Sequence, residues 1–273
     1  MACRAGLLHP GEMGSVAALT LQNAGREVYW VSEGRRPQSH RRAAELGLKD
    51  AGTLNRLCEL CPVIVSVCPP EFAEEVAGRV AEHGFRGLYI DCNAVSPERV
   101  QRMAKRFPEG RFVDASIIGL ATREPGKVWI YFSGQHAEEA AVCFGSAGPL
   151  QAEVIGGPVG RASALKMCFA GYNKGAAALL TAVLAAAERL GVREALERQW
   201  SRTDRELAGA GKKIARVTPK AWRFAPEMRE IAETLESAGV TPDFHCAAAA
   251  LYRRLAEFKD VDAPELEKIL AAL

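Results

Sequence analysis

The chain changes character at a single turn, Gly156-Gly157-Pro158-Val159-Gly160. Before it, short apolar strand signals alternate with helical ones; after it, no strand signal returns. Residues 162–190 contain no proline, and from Gly175 onward this stretch is almost wholly Ala, Leu, Val and Thr. That composition predicts one long helix, polar in its first turns and buried on every side afterwards. The apolar run 176–187 within it is too short to cross a bilayer. Lys166 and Lys174 stand on the same helix, and a lysine among small residues needs a partner, a route to solvent or a task. The expected division is therefore 1–159 and 160–273.

Ahead of the turn the alternation is regular. Strands are expected at 5–8, 27–31, 63–67, 88–92, 112–115, 128–132 and 153–155. The run Val63-Ile64-Val65-Ser66-Val67 is the mark of a strand buried on both faces of a parallel sheet. Helices are expected at 15–24, 37–46, 69–83, from the Ser96 cap to Phe107, and at 137–144. This is an α/β pattern, a Rossmann-type doubly wound sheet, followed by an all-α C-terminal domain. The helices of that second part are expected at 162–190, 194–200, 205–216, 226–238, 244–257 and 263–273.

Composition excludes several classes. Apolar residues at 48% and charged residues at 25% suit a globular protein, and a net charge of +2 is too weak to favour nucleic acid or a membrane surface. No secretory apolar segment opens the chain, because Gly6, His9, Pro10 and Gly11 interrupt it. The 8 cysteines lie mostly in apolar runs and suit buried thiols in a reducing cytoplasm. Cys58 and Cys61 form a lone C-x-x-C without a second pair at zinc spacing, so no metal is expected.

Chemistry enters at the first strand-to-helix turn, His9-Pro10-Gly11-Glu12-Met13-Gly14. Glycines there let the backbone N–H groups of a helix N-terminus face a pyrophosphate. Gly11 and Gly14 fit the second and third positions of G-x-G-x-x-G, and His9 occupies the first. At the end of the second strand, Ser32 takes the place of an acid that would hold a ribose hydroxyl, and Arg35 and Arg36 follow with guanidiniums suited to a 2′-phosphate. Shifted by one residue, Glu33 would be that acid. The cofactor expected is NADP, with NAD as the alternative, and an exposed basic loop is the structural alternative to both.

These residues bring a resemblance with them. Residues 6–14, Val67-Cys68-Pro69, Asp91-Cys92-Asn93-Ala94-Val95-Ser96-Pro97, Asp114-Ala115-Ser116-Ile117-Ile118-Gly119 and 157–166 stand in the order and spacing of the β-hydroxyacid dehydrogenase and 6-phosphogluconate dehydrogenase superfamily. The chain most resembles its NAD(P)-binding members with a short helical C-terminal domain. The resemblance implies a cofactor on the first domain, touched by Val67, Cys68, Pro69 and Asn93, and an active site beneath the inter-domain helix. It implies a substrate loop at Ser116, Ile117 and Gly119, and a general acid or base at Lys166 whose pKa is tuned toward neutrality.

The departures narrow the chemistry. The asparagine expected one turn after the lysine is Ala170, the serine before the loop glycine is Ile118, and the Ser-Thr pair after the fifth strand is Asn93-Ala94. Asn173 stands where 6-phosphogluconate dehydrogenases carry an acidic glutamate, so decarboxylation of 6-phosphogluconate is not expected. Asn173 and Lys174 share a helix stripe with Lys166, and the resemblance implies that Lys174 holds a substrate anion. The reading is a dehydrogenase or reductase for a small anionic hydroxy or oxo compound. Imine reduction and a non-catalytic dinucleotide sensor are the alternatives. His245 is expected to cap its helix or join the core, and Trp222 and Phe224 to pack helices. A helix so apolar needs more cover than the second domain supplies, and a homodimer is expected.

Overall fold

The computed structural model describes residues 3–203 and 207–273. Its sheet follows from where the apolar strands lie. β1 (Arg4–Leu7), β4 (Val63–Ser66), β5 (Leu88–Asp91) and β6 (Phe112–Ile118) are almost wholly buried, so both faces need helical cover. With β2 (Glu27–Trp30), β3 (Lys49–Asp50), β7 (Val128–Ser133) and β8 (Leu150–Val154) they form one eight-stranded sheet in the order β3-β2-β1-β4-β5-β6-β7-β8. Every pairing is parallel except β6–β7, an antiparallel hairpin. The strand order reverses between β1 and β4, and ligands of such sheets bind beyond the carboxyl ends of those strands. The expected Rossmann-type sheet is present.

Helices α1 (Glu12–Asn23), α2 (Pro37–Glu45), α3 (Leu54–Leu60), α4 (Ala73–Glu82), α5 (Pro97–Ala104) and α6 (Ala137–Phe144) connect the strands. One core joins α1 and α6 to a sheet face through Leu7, Val16, Leu21, Val65, Ile90, Phe132 and Phe144. A second packs Leu57, Ile64, Val80, Tyr89, Val100 and Phe107. Two elements escaped the sequence reading: β3 is two exposed residues with no pattern to detect, and α3 has only Leu54 and Leu57 buried.

After the turn come α7 (Arg161–Arg189), α8 (Arg193–Thr203), α9 (Ala210–Val217), α10 (Ala221–Ser237), α11 (Asp243–Arg254) and α12 (Leu266–Ala271). Arg205 and Glu206, where the third of these helices was expected to begin, lie outside the described residues. α10 starts five residues before Pro226, which the sequence reading took for its first residue. A proline normally breaks a helix interior; here buried Ala221 and Ala225 belong to the turn before it.

The chain separates into two compact units, the first ending at Lys166 and the second running from Met167 to Leu273. The boundary falls inside α7 and not at Val159, because the first turn of α7 is bonded to β6 and β7. α7 also differs from the expected all-round burial. Leu165, Phe169, Tyr172, Leu179 and Val183 are exposed at helical spacing, Tyr172 by 78%. By length and composition the whole helix is apolar enough to span a membrane, although its apolar run alone is not. What sets it apart from a span is the side-chain capping of its first turn and an ion pair at Lys174.

Candidate functional site

The first turn is built around two glycines with different reasons to be there. A Cβ on Gly14 would lie 2.1 Å from the His9 carbonyl oxygen, so only glycine lets α1 start against this turn. A Cβ on Gly11 would meet nothing within 4 Å, and that side of the turn is open. Gly11 N–H donates to His9 O at 2.9 Å, and Ser15 Oγ donates to Gly11 O at 2.7 Å. α1 begins at Glu12, earlier than the expected Ser15, so Glu12, Met13 and Gly14 form its first turn. No side chain caps this helix N-terminus, which leaves its positive end suited to an external anion. Glu12 reaches Arg42 at 4.0 Å, Pro10 is buried, and Met13 packs on the core.

His9 lies under the same turn. Its Nδ1 is buried without a hydrogen-bond partner. Burial, with Arg35 and Arg79 adding to it, pulls its pKa down to about 4, so the imidazole is neutral near pH 7. Arg35 is half-buried, and burial and Arg79 lower its own pKa. Its Nε donates to Val31 O at 3.4 Å, and its N–H closes the turn onto Ser32 O at 3.1 Å. Gly34 has φ +69 in that turn. Arg36 and Glu33 are exposed, Arg36 at the N-cap of α2. The two expected arginines are therefore not equivalent: Arg35 acts on His9, whereas Arg36 faces water. Arg79 of α4 is a cation that sequence reasoning missed, because nothing in an ordinary amphipathic helix marks it.

The loop after β4 is held from β5. Cys68 N–H donates to Asn93 Oδ1 at 2.6 Å, and Asn93 Nδ2 donates to Asp91 Oδ1 at 2.6 Å and Ser66 Oγ at 3.2 Å. Asn93 was expected to touch cofactor; instead its buried amide is spent shaping the Val67-Cys68-Pro69 loop. Burial raises the Cys68 thiol to about 12, so it stays protonated. Burial, followed by repulsion from Asp114, pushes Asp91 up to about 7.

Lys166 extends along β6 and its Nζ donates to Ile117 O at 2.8 Å. Ile117 thus acts through its backbone. Ser116, expected as a substrate hydroxyl, is 1% exposed, and its Oγ has no hydrogen-bond partner. It belongs to the strand interior because alternate β6 residues face opposite sides. Gly119 opens the β6–β7 hairpin at φ +138, where a Cβ would sit 2.8 Å from Lys127 O. Its presence is explained by that close approach.

In the helical unit, Lys174 is bonded to Glu227, with its ammonium 4.7 Å from the Phe224 ring centroid. Tyr252 packs edge-on against Phe224 and its hydroxyl donates to Lys174 O at 2.7 Å. The resemblance gives Lys174 to a substrate anion; in the structure its partner is the Glu227 carboxylate. Asn173 is exposed and its amide donates to Phe169 O at 2.9 Å, one turn back. His245 Nε2 lies 3.2 Å from Gly171 O, a packing position as expected. Among the described residues no group of three His, Cys, Asp or Glu is placed to hold a metal.

Comparisons with known proteins agree with this architecture. Residues 187–255 match the family described as a domain of unknown function (DUF1932). An uncharacterised 28.5 kDa protein of Methanothermus fervidus, encoded in the 7S RNA 5′ region, is 32% identical over 189 residues, 69% of this chain and 72% of that protein. A conserved protein of unknown function, solved and described as structurally similar to 3-hydroxyacid dehydrogenases, is 32% identical. The match covers 93% of this chain and 97% of that one, with a TM-score of 0.70. The 3-hydroxyisobutyrate dehydrogenase of Mycobacterium tuberculosis, solved with L-serine, shares the fold at 18% identity, with 99% of each chain covered and a TM-score of 0.69. The chain belongs to the 6-phosphogluconate dehydrogenase-like superfamily of NAD(P)-binding proteins, alongside the 3-hydroxyacid dehydrogenases.

Proposed function

We propose that the protein is a nicotinamide-dependent oxidoreductase that interconverts a small hydroxy compound and its oxo partner, with NADP preferred and Lys166 as the general acid and base. The observation that carries this reading is the placement of Lys166, whose ammonium is held at Ile117 O near the end of β6 by a helix whose first turn is bonded to the sheet. The first turn fits a dinucleotide: an uncapped helix N-terminus, an open Gly11, and a neutral His9 with an unmet nitrogen. Arg35 would hold the 2′-phosphate, with Ser32 beside it. When bound, the reduced nicotinamide supplies hydride to the substrate carbon. Lys166 donates a proton to the oxygen that gains charge and recovers it in the oxidative direction.

Lys174 and Asn173 drop from the chemistry in this reading, the first committed to Glu227 and the second to its own helix. A homodimer would cover Leu165, Phe169, Tyr172, Leu179 and Val183 of α7. Eight free cysteines suit a reducing, cytoplasmic setting. The sensor reading is favoured by Ala170, buried at 3% where the family resemblance implies an asparagine. A panel of oxo acids, semialdehydes and cyclic imines, followed by loss of reduced-nicotinamide absorbance, tests the proposal. Turnover of any member supports it, and turnover of cyclic imines alone moves the acceptor atom from oxygen to nitrogen. Tight dinucleotide binding with no turnover across the panel supports the sensor.

A further inference from the structure

The residue before α7 is Gly160, at φ +110, and the first turn of the helix is Arg161-Ala162-Ser163. Arg161 N–H reaches Pro158 O at 3.4 Å, and the amides on either side of it are met by side chains from the sheet. Asp114 Oδ2 accepts from Gly160 N–H at 2.9 Å, Ser163 N–H at 3.0 Å and Ser133 Oγ at 2.9 Å. Asp114 Oδ1 accepts from Ser163 Oγ at 2.7 Å, and Ser133 Oγ accepts from Ala162 N–H at 3.0 Å. Asp114 is fully buried, and Ser133 lies opposite it in the β6–β7 register. A carboxylate can accept all of these bonds, whereas an amide in its place would turn an NH₂ group toward one of the donors. A negative group at a helix N-terminus also opposes the positive end of the helix dipole.

The strand that supplies this cap also supplies the partner of Lys166. Asp114 and Ile117 are three residues apart on β6, and Ser163 and Lys166 are three apart on α7. β6 therefore grips the foot of α7 twice, by a carboxylate at Ser163 and by a carbonyl at Lys166.

We propose that Asp114 is the positioning residue for Lys166: its buried carboxylate, with Ser133, docks the first turn of α7 so that the Lys166 ammonium is delivered to the end of β6. The inference rests on Lys166 being the reacting amine, but its test does not. Lysines of the whole protein are converted to ¹³C-dimethyl-lysine, and the Lys166 signal is assigned by its loss in Lys166→Arg. In Asp114→Asn, the Lys166 signal should move to the position of solvent-exposed lysines while the Lys174 signal stays in place. Amide hydrogen exchange across residues 160–166 should rise about tenfold to a hundredfold, the effect of losing bonds to a charged acceptor. A purely structural role would lower global stability and leave the Lys166 signal where it was.

A folded Asp114→Asn protein with an unmoved Lys166 signal and unchanged exchange in that segment would overturn the proposal. If Asp114→Asn does not fold, Ser163→Ala removes only the hydroxyl bond. It should shift the same signal in the same direction by less, and no shift there overturns the proposal as well. A displaced Lys166 signal together with normal turnover by Lys166→Ala would sink the proposed function and leave the positioning role standing.

Discussion

Lys166 and Lys174 stand on one helix at a spacing of two turns, and the molecule treats them in opposite ways. At the foot of α7, Lys166 meets a neutral carbonyl of the sheet. In the helical unit, Lys174 meets the carboxylate of Glu227 over an aromatic ring. Shared helical phase predicted a shared role. What separates them is the partner each finds elsewhere in the chain, and Glu227 lies 53 residues from Lys174. A cation in a largely buried ion pair holds structure, whereas Lys166, held at a carbonyl of the sheet unit, is the lysine given to chemistry in the proposed function.

The largest expected effect tests the first half of that contrast. Lys166→Ala should lower kcat by about two to four orders of magnitude, the weight of one general acid, with cofactor affinity retained. Stopped-flow oxidation of the reduced cofactor measures it once a substrate is in hand. Turnover within a few-fold of the parent would remove Lys166 from the chemistry.

Next comes a pH effect from two buried groups of the sheet unit. Asp91 titrates near 7 in the fold against an ordinary 3.8, so between these values the folded protein holds a proton that the unfolded chain has lost. Its contribution to stability falls as pH rises through that window. His9 titrates near 4 against 6.5, so its contribution rises with pH between those values. The two oppose one another from about pH 4 to 6.5. Asp91→Asn should unmask a stability that climbs with pH there, and His9→Gln one that declines. Urea midpoints across the range decide it, and parallel pH profiles for both variants and the parent would contradict these assignments.

The second half of the contrast gives the third prediction. Lys174→Ala removes the ion-pair partner of Glu227 and should destabilise the protein by about 3 kcal/mol, the low end for breaking a buried pair because Lys174 keeps a fifth of its side chain in water. Urea unfolding reads it, and an unchanged midpoint would show that the pair carries no structural weight. The smallest effect concerns cofactor choice. Arg35→Ala should weaken NADPH about tenfold to a hundredfold and NADH much less, with Arg36→Ala milder, since Arg35 is half-buried beside the first turn and Arg36 faces water. Tighter NADH binding by the unmodified protein would make Glu33 the ribose acid.

Much of the sheet unit was legible from local pattern. The run Val63–Ser66, the alternation of strands with helices and the break at Gly156–Gly160 each report on nearby residues and point to seven of the eight strands, whereas the two exposed residues of β3 and the order of the strands in the sheet carry no local signal. The turn at Gly11 and Gly14 was legible for the same reason. Asp114 was visible only as one residue of a quoted stretch. Its task depends on Ser163, 49 residues away, and periodicity carries no information across that distance. Ser116 and Asn93 were misread alike: a polar residue at a strand end looks like a ligand, and only the neighbouring strand shows that its polar atoms are buried or already engaged.

One pair of urea titrations tests the contrast most directly, Lys166→Ala beside Lys174→Ala at neutral pH with reduced nicotinamide affinity measured on each. The account predicts that Lys166→Ala stays within about 1 kcal/mol of the parent and keeps its cofactor. Lys174→Ala should lose about three times as much stability. Equal destabilisation of the two variants would make Lys166 a structural residue like its neighbour, and the division between a chemical lysine and an architectural one would fall.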